Sequence, residues 1–442
     1  MNNFSTIFLS VTKQQALWGG ILATFLFIAM GFIVTRKGIF DKEINKKLSA
    51  FNLKYALPFI CLTAFMISAN TSQIKIWAAI FILSILFYTF AILVGKLLIN
   101  YYPHLVSKRI TAKAEALWRK KSANENGVDL EKYKEEALAD YKAKYMAFQW
   151  MNIFGSLQFF AYPLIIALNG SGIFNSFSLV LAQTWCVPYM VSVFIILPLE
   201  YSGLKFSKKN IKPIMQQVFS PMMCCLYLSL VLWLLQFIPG IYEARFGEPN
   251  DFPYDNLLKD GPAGSDAAKD YAKAPQFWGA FKTNMTFLMS GMTMATGLVS
   301  PLAWLVIGGS LAASNLKEVI KDKGVWTATV VKNFIYPLVT FGIMFLFVLP
   351  IWGKLNYGEV QLTGELKGNA GLLDPASATL IVLMMATPPA AVNVIFASAN
   401  KHRSLDYIAK VSSLSTAVCV ISMPLFIILS SIAYQSVVAI PA

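Results

Sequence analysis

Ala376-Ser377-Ala378-Thr379-Leu380-Ile381-Val382-Leu383-Met384-Met385-Ala386-Thr387-Pro388-Pro389-Ala390-Ala391-Val392-Asn393-Val394-Ile395-Phe396-Ala397-Ser398-Ala399 is an apolar run with a double proline at its middle. Roughly 20 such residues in a helix cross the hydrocarbon of a bilayer. Proline has no backbone N–H and its ring clashes with the preceding turn, so Pro388 and Pro389 free carbonyls that hydrocarbon cannot satisfy. A break of this kind persists only where it faces protein or a water-filled cavity. The stretch predicts a membrane helix in two halves.

Runs of similar length recur along the chain, at 15–35, 48–69, 74–99, 148–168, 174–199, 214–238, 277–313, 325–352, 376–399 and 405–434. The composition agrees with this reading. Of the 442 residues, 56% are hydrophobic and 14% charged, with a mean hydropathy of +0.57; a soluble chain carries about 25% charged residues. One large soluble core does not explain the deficit, because soluble chains of this size divide into domains with wet surfaces. The expected fold is all-α integral membrane, with about ten transmembrane helices.

The formal charge of +14 sits in short clusters between the runs. These are Arg36, Lys37, Lys42, Lys46 and Lys47, then Lys205, Lys208, Lys209 and Lys212, then Lys401 and Arg403. No segment large enough for a duplex carries them, which argues against nucleic acid as a partner and for the positive-inside rule. With the N-terminus outside, every odd-to-even loop, and these clusters with it, falls inside. Both termini then lie outside the cytosol of a multi-pass plasma-membrane protein, with the lipid bilayer as its first partner. Arg36-Lys37 follows the first run and little positive charge precedes it, the reverse of a secretory leader. Cys61, Cys186, Cys224, Cys225 and Cys419 all fall in apolar runs and lack metal spacing. The two histidines, His104 and His402, are loop residues, so no span offers a Ser/His, His/Asp or metal constellation for an enzyme.

Two polar insertions interrupt the pattern. The first, 103–145, is rich in Lys, Glu and Ala, with Asn126-Gly127 as a turn and Asp140 and Lys144 at helical pair spacing. It reads as a cytosolic helical hairpin or as a solvated spacer. The second, 242–273, is rich in Asp, Pro and Gly and suits an irregular outside loop.

Prolines inside the runs come in matched pairs. Pro58 in the second run is matched by Pro301 in the seventh, and Pro163 in the fourth by Pro388-Pro389 in the ninth. Each pair is five runs apart. Five is odd, so the halves take opposite orientations, as in inverted repeats whose discontinuous helices hold substrate near the midplane. The halves are 1–200, with the cytosolic insertion 103–145, and 201–442, with the extracytosolic insertion 241–275. A single proline kink is often only a packing feature; the pairing carries the reading.

At this point the sequence resembles a known family. Gly31-Phe32-Ile33-Val34-Thr35-Arg36-Lys37-Gly38-Ile39-Phe40 looks like the first-helix signature of auxin efflux carrier permeases, and Leu48 to Tyr55-Ala56-Leu57-Pro58 like their second helix. Pro301-Leu302-Ala303-Trp304-Leu305-Val306-Ile307-Gly308-Gly309-Ser310-Leu311-Ala312 is similar to that family's Pro-Leu-Ala…Gly-x-Ser-Leu segment. Pro388-Pro389-Ala390-Ala391-Val392-Asn393 resembles its double-proline motif, and Ser415-Thr416 through Pro424-Leu425 fits its ending. The resemblance covers nearly the whole chain outside the two insertions. It implies a ten-helix carrier whose fourth and ninth helices cross at their prolines, close to a site for a small-molecule carboxylate such as a dicarboxylate. One departure stands out: where the family has Gly-Asn-x-Gly, this chain has Gly155-Ser156-Leu157-Gln158.

An anion at such breaks would use backbone N–H groups and the positive end of a half-helix. The expected substrate-binding residues are therefore Ser156, Gln158, Pro163, Thr387, Pro388, Pro389 and Asn393, with Asn152 as a further candidate beside the departure. For Asn393 the alternative is a hydrogen bond that only glues helices together. Gln183 and Asn52 are weaker candidates. Lys54 and Lys332 lie about two turns inside the cytosolic boundary and are read as snorkelling to it, and Lys282 does so at the outer boundary. No Asp or Glu falls near the middle of a run, so a midplane carboxylate proton relay has no support. The sequence names no cofactor and leaves open H+ or Na+ as coupling ion, and a homodimer. The other class it allows is a non-transporting sensor or scaffold that binds a partner through 103–145.

Overall fold

The computed structural model describes residues 3–68, 71–122, 129–169, 171–203, 215–216, 219–241, 276–313, 316–363 and 366–439. The basic cluster Lys205, Lys208, Lys209 and Lys212, the Asn126-Gly127 turn, the 242–273 insertion and the Lys282 side chain lie outside the described residues.

A helix satisfies its own backbone and so suits an apolar segment in hydrocarbon. The first half contains α1 (Asn3–Thr12), α2 (Gln15–Arg36), α3 (Lys42–Phe51), α4 (Leu57–Ala64) and α5 (Thr71–Leu105). It continues with α6 (Ser107–Ser122), α7 (Leu130–Ile153), α8 (Tyr162–Ala167) and α9 (Ser176–Ser202). The second half contains α10 (Pro221–Leu235), α11 (Phe277–Asn284), α12 (Thr286–Ala313), α13 (Leu316–Val319), α14 (Lys323–Val330) and α15 (Tyr336–Val348). A short antiparallel pair follows, β1 (Gly358–Gln361) and β2 (Lys367–Ala370), then α16 (Pro375–Ala386), α17 (Val392–Ala399) and α18 (Leu405–Val438).

Among the described residues, six helical stretches are long and apolar enough to cross a membrane: Gln15–Arg36, Gln73–Leu105, Phe177–Ser202, Thr286–Ala313, Lys323–Val348 and Leu405–Val438. The chain is a multi-pass, predominantly helical membrane protein. The remaining apolar runs form shorter helices, among them Leu157–Ala167, Pro221–Leu235 and Pro375–Ala386. The 277–313 run, expected as one span, is two helices parted at Met285.

Prolines act in two different ways. At Pro58, Pro163 and Pro337 the lost N–H is absorbed by a π-helical turn just before it, at Asn52–Ala56, Leu157–Ala161 and Val331–Ile335. The N–H groups of Leu57, Tyr162 and Tyr336 each reach back five residues, to the carbonyls of Asn52, Leu157 and Val331. Pro301, by contrast, lies inside continuous α12. The expected match of Pro58 with Pro301 is thus not a match in local structure; in the second half of the chain Pro337 shares the device.

The lipid side and the packed side separate cleanly on α5. Ile82, Leu86, Phe90, Leu93 and Leu97 recur at helical spacing and are exposed, whereas Ile76, Ile80, Ser84 and Tyr88 are buried. Helix α2 packs on α12, and α4 packs on α10. The first of these contacts is close: a Cβ on Gly31 would run into the Leu305 carbonyl, and one on Gly308 into that of Ile28. Separately, α5 packs with α7 and α9, while α18 packs with α14 and α16, and α15 with α16.

The described residues of the 103–145 segment form the two packed arms of a helical hairpin. Helices α6 and α7 pack on one another, and Glu115 pairs with Arg119 at 2.7 Å and Lys134 at 3.7 Å. The Arg119 hydrogen bond and the Lys134 charge hold the Glu115 carboxyl below its ordinary range. The hairpin is continuous with the membrane part, since α7 runs unbroken from Leu130 to Ile153.

Candidate functional site at the crossing of two broken helices

Two breaks meet in the middle of the fold. At one, Thr387 is extended (φ −64°, ψ 146°), as a residue before proline must be, and α16 stops there. At the other, α7 ends at Phe154 (φ −98°, ψ 99°) and helix resumes after Ser156 (φ −86°, ψ 65°). Gly155 and Pro389 pair antiparallel. The Ser156 N–H donates to the Pro388 carbonyl at 2.7 Å, and the Ala390 N–H to the Phe154 carbonyl at 2.9 Å. Each break therefore satisfies backbone groups of the other, each bond contributing about 1 kcal/mol net. A Cβ on Gly155 would collide with Thr387 Oγ1, which explains the glycine.

The break opposite Pro388-Pro389 thus lies at 154–156, not at Pro163. Pro163 is the second residue of α8, beyond the π turn, and is buried in the helix. The chain parts earlier because the Pro163 defect is absorbed by that turn, while Gly155 is free to enter an extended bridge.

Side chains brace the crossing. Tyr189 of α9 donates its hydroxyl to the Gly155 carbonyl at 2.6 Å. Lys332, in the π turn Val331–Ile335, donates to the Asn152 carbonyl at 3.0 Å and lies 5.7 Å from the centre of the Tyr336 ring. The expectation that Lys332 snorkels is incorrect: it is 1% exposed. The carbonyl end of α7 carries partial negative charge and provides the polar partner that a buried lysine nitrogen needs.

The expected site residues divide into two groups. Thr387 donates to the Met384 carbonyl at 2.8 Å. Asn393 donates to the Ala390 carbonyl and accepts from Tyr201, both at 3.0 Å. With Pro388 and Pro389 they belong to the joint. Asn152 is also buried there, donating its amide to the Phe148 carbonyl at 2.8 Å. Ser156 and Gln158 instead line a cavity of about 490 Å³. Its other walls are the start of the helix Leu157–Ala167, the Tyr189–Phe194 face of α9, Ala391 and Val392 at the start of α17, and Lys54 and Tyr55. Sequence reasoning did not name Tyr189, and it read Lys54 and Lys332 as snorkelling and not as parts of a site. For the lysines the signal was present, a cation inside an apolar run, but periodicity does not say whether such a side chain turns out or in: Lys332 is buried, whereas Lys54 is exposed and lines the cavity.

A second cavity of about 370 Å³ lies at the other end of the same helices, lined by Ile60 and Thr63 of α4, Ile165 of α8, Asn169, Asn175 and Leu179. Between the two linings, Tyr162 of α8 and Cys61 of α4 both donate to Gln183 of α9, at 3.0 and 3.5 Å. Asn52 sits apart from this layer and donates to the Val299 carbonyl at 3.1 Å, tying the α3–α4 turn to α12.

The first cavity offers neutral donors, one cation and no acid among the described residues that line it. Amides in the first turn of a helix have no acceptor within the helix, and those of Leu157 and Phe159 start the half-helix at the cavity wall. The arrangement suits an anion with an uncharged body. No protein-family model matches the chain, and no curated protein matches it.

Proposed function

We propose that this protein is a secondary carrier for a small organic anion, of the auxin efflux carrier type that its span motifs resemble, working by alternating access in the plasma membrane. The observation that carries the reading is the backbone bridge between two broken helices, beside a cavity lined by Ser156 and Gln158. Discontinuous helices whose half-helix ends face a ligand are how carriers hold charge at the midplane without burying opposite charges.

The packing supports ten crossings in two inverted halves of five, and the loop charges, by the positive-inside rule, favour both termini outside. In span order, α2 on α12 is the first span on the seventh, and α4 on α10 is the second on the sixth. Moving each partner five spans along turns one contact into the other. The same operation carries the α5 contacts with α7 and α9 onto those of the eighth span with the ninth and tenth. It maps the crossing of the fourth and ninth onto itself. The two cavities at opposite ends of α4, α8 and α9, parted by the Tyr162, Gln183 and Cys61 layer, suit a site reached from either side in turn.

Reconstituted protein is expected to move a labelled carboxylate across proteoliposome membranes. Pro388→Ala with Pro389→Ala is expected to insert normally and lose that uptake. Wild-type protein that moves no mono- or dicarboxylate in either direction removes the carrier reading; unchanged uptake by the double variant removes the crossing from it.

A further inference from the structure

The charge balance of the first cavity is lopsided. Lys54 is the one charged side chain among the described residues that line it, and those residues include no carboxylate. Lys54 belongs to the π turn Asn52–Ala56, which Asn52 anchors to the Val299 carbonyl at 3.1 Å. Lys54 is exposed and lines the cavity from the segment between α3 and α4, while Ser156 and Gln158 line it from the crossing.

Gln158 adds an independent observation. Its buried side chain has sulfur partners: the amide nitrogen donates to Met190 Sδ at 3.4 Å and Met222 Sδ at 3.3 Å, and the side chain also hydrogen-bonds Cys186. Thioether sulfur is a weak acceptor, and an ionised carboxylate in the adjoining space is a much stronger one. Much of the remaining wall is apolar, including Phe159, Val193, Phe194, Val392 and Ile395.

We infer that Lys54 is the charge selector of this cavity, pairing with the single carboxylate of a ligand whose uncharged body rests on the apolar wall. The inference rests on the carrier reading and names the charge of what is carried. A neutral analogue forgoes the charge-assisted hydrogen bond to the ammonium. A dianion sets its second charge against apolar side chains, where an unpaired charge is strongly disfavoured. Lys54 thus rejects molecules on both sides of one negative charge.

The test uses a rigid aromatic series: benzoate, terephthalate and benzamide. Thermal melting of the purified full chain in detergent reads binding for wild type, Lys54→Arg and Lys54→Gln. Benzoate is expected to raise the melting temperature of wild type and K54R, with at least tenfold weaker apparent affinity in K54Q. Terephthalate and benzamide are expected to leave wild type unshifted. The assignment is overturned if K54Q binds benzoate as wild type does, if terephthalate stabilises wild type equally, or if benzoate does not shift wild type. Uptake of labelled benzoate into proteoliposomes separates the two readings. Binding without uptake removes the carrier and keeps the selector, whereas equal uptake by wild type and K54Q keeps the carrier and removes the selector.

Discussion

At Gly155 the absence of a side chain lets two backbones from opposite halves of the protein share two hydrogen bonds. The nearest atoms to a Cβ there are Thr387 Oγ1 and, at 3.2 Å, Lys332 Nζ. Neither can retreat easily: Thr387 is tied to Met384 and Lys332 to Asn152. Gly155→Ala is expected to destabilise the protein by about 1–3 kcal/mol through overpacking. In a detergent melting assay this appears as a lower melting temperature, whereas a melting curve unchanged from wild type would mean that the bridge is looser than the distances indicate. The glycine was legible in the sequence as part of a departure from a family pattern. Its partner was not, because Thr387 is more than 200 positions away and nothing local connects them. The same holds for Lys332, whose burial depends on a carbonyl supplied by α7.

Elements show how a proline is accommodated without being the site itself. The π turn before Pro163 adds one residue to the helical circuit and so sets the direction in which Gln158 leaves it. Pro163→Ala restores an N–H, favours a regular α turn, and rotates the preceding segment by roughly one residue's worth of helix. The expected result is a folded, membrane-inserted protein in which anion-induced stabilisation in a thermal shift falls at least tenfold. Retention of wild-type binding by that variant would show that the wide turn does not position Gln158. Helix positions and proline defects were readable from hydrophobic length and residue type. Whether a defect opens a break, as at Pro388-Pro389, or is absorbed, as at Pro58, Pro163 and Pro337, was not. That outcome depends on what neighbouring elements offer to the freed backbone groups.

In the whole molecule, the α2–α12 and α4–α10 contacts form one group, and the helices around the crossing form another. The first cavity lies between them, with Tyr55 on one wall and Ala391 on the other. If the groups move relative to one another during transport, a bridge across the cavity must arrest the cycle. Tyr55→Cys with Ala391→Cys, on a background whose native cysteines are replaced, is expected to lose uptake when a bifunctional thiol reagent links the pair. Either single variant treated in the same way is expected to keep its uptake. Transport by the linked protein would place the moving parts elsewhere. The amino-acid sequence by itself determined that this is a multi-pass helical membrane protein with a break at Pro388-Pro389, because hydrocarbon sets the length of its apolar runs and proline cannot donate. Only the tertiary structure decided that the opposing break lies at 154–156, that Lys332 turns inward, and that Lys54 faces a cavity. Each of these is fixed by a hydrogen bond, a close contact or an enclosed space between segments far apart in the chain.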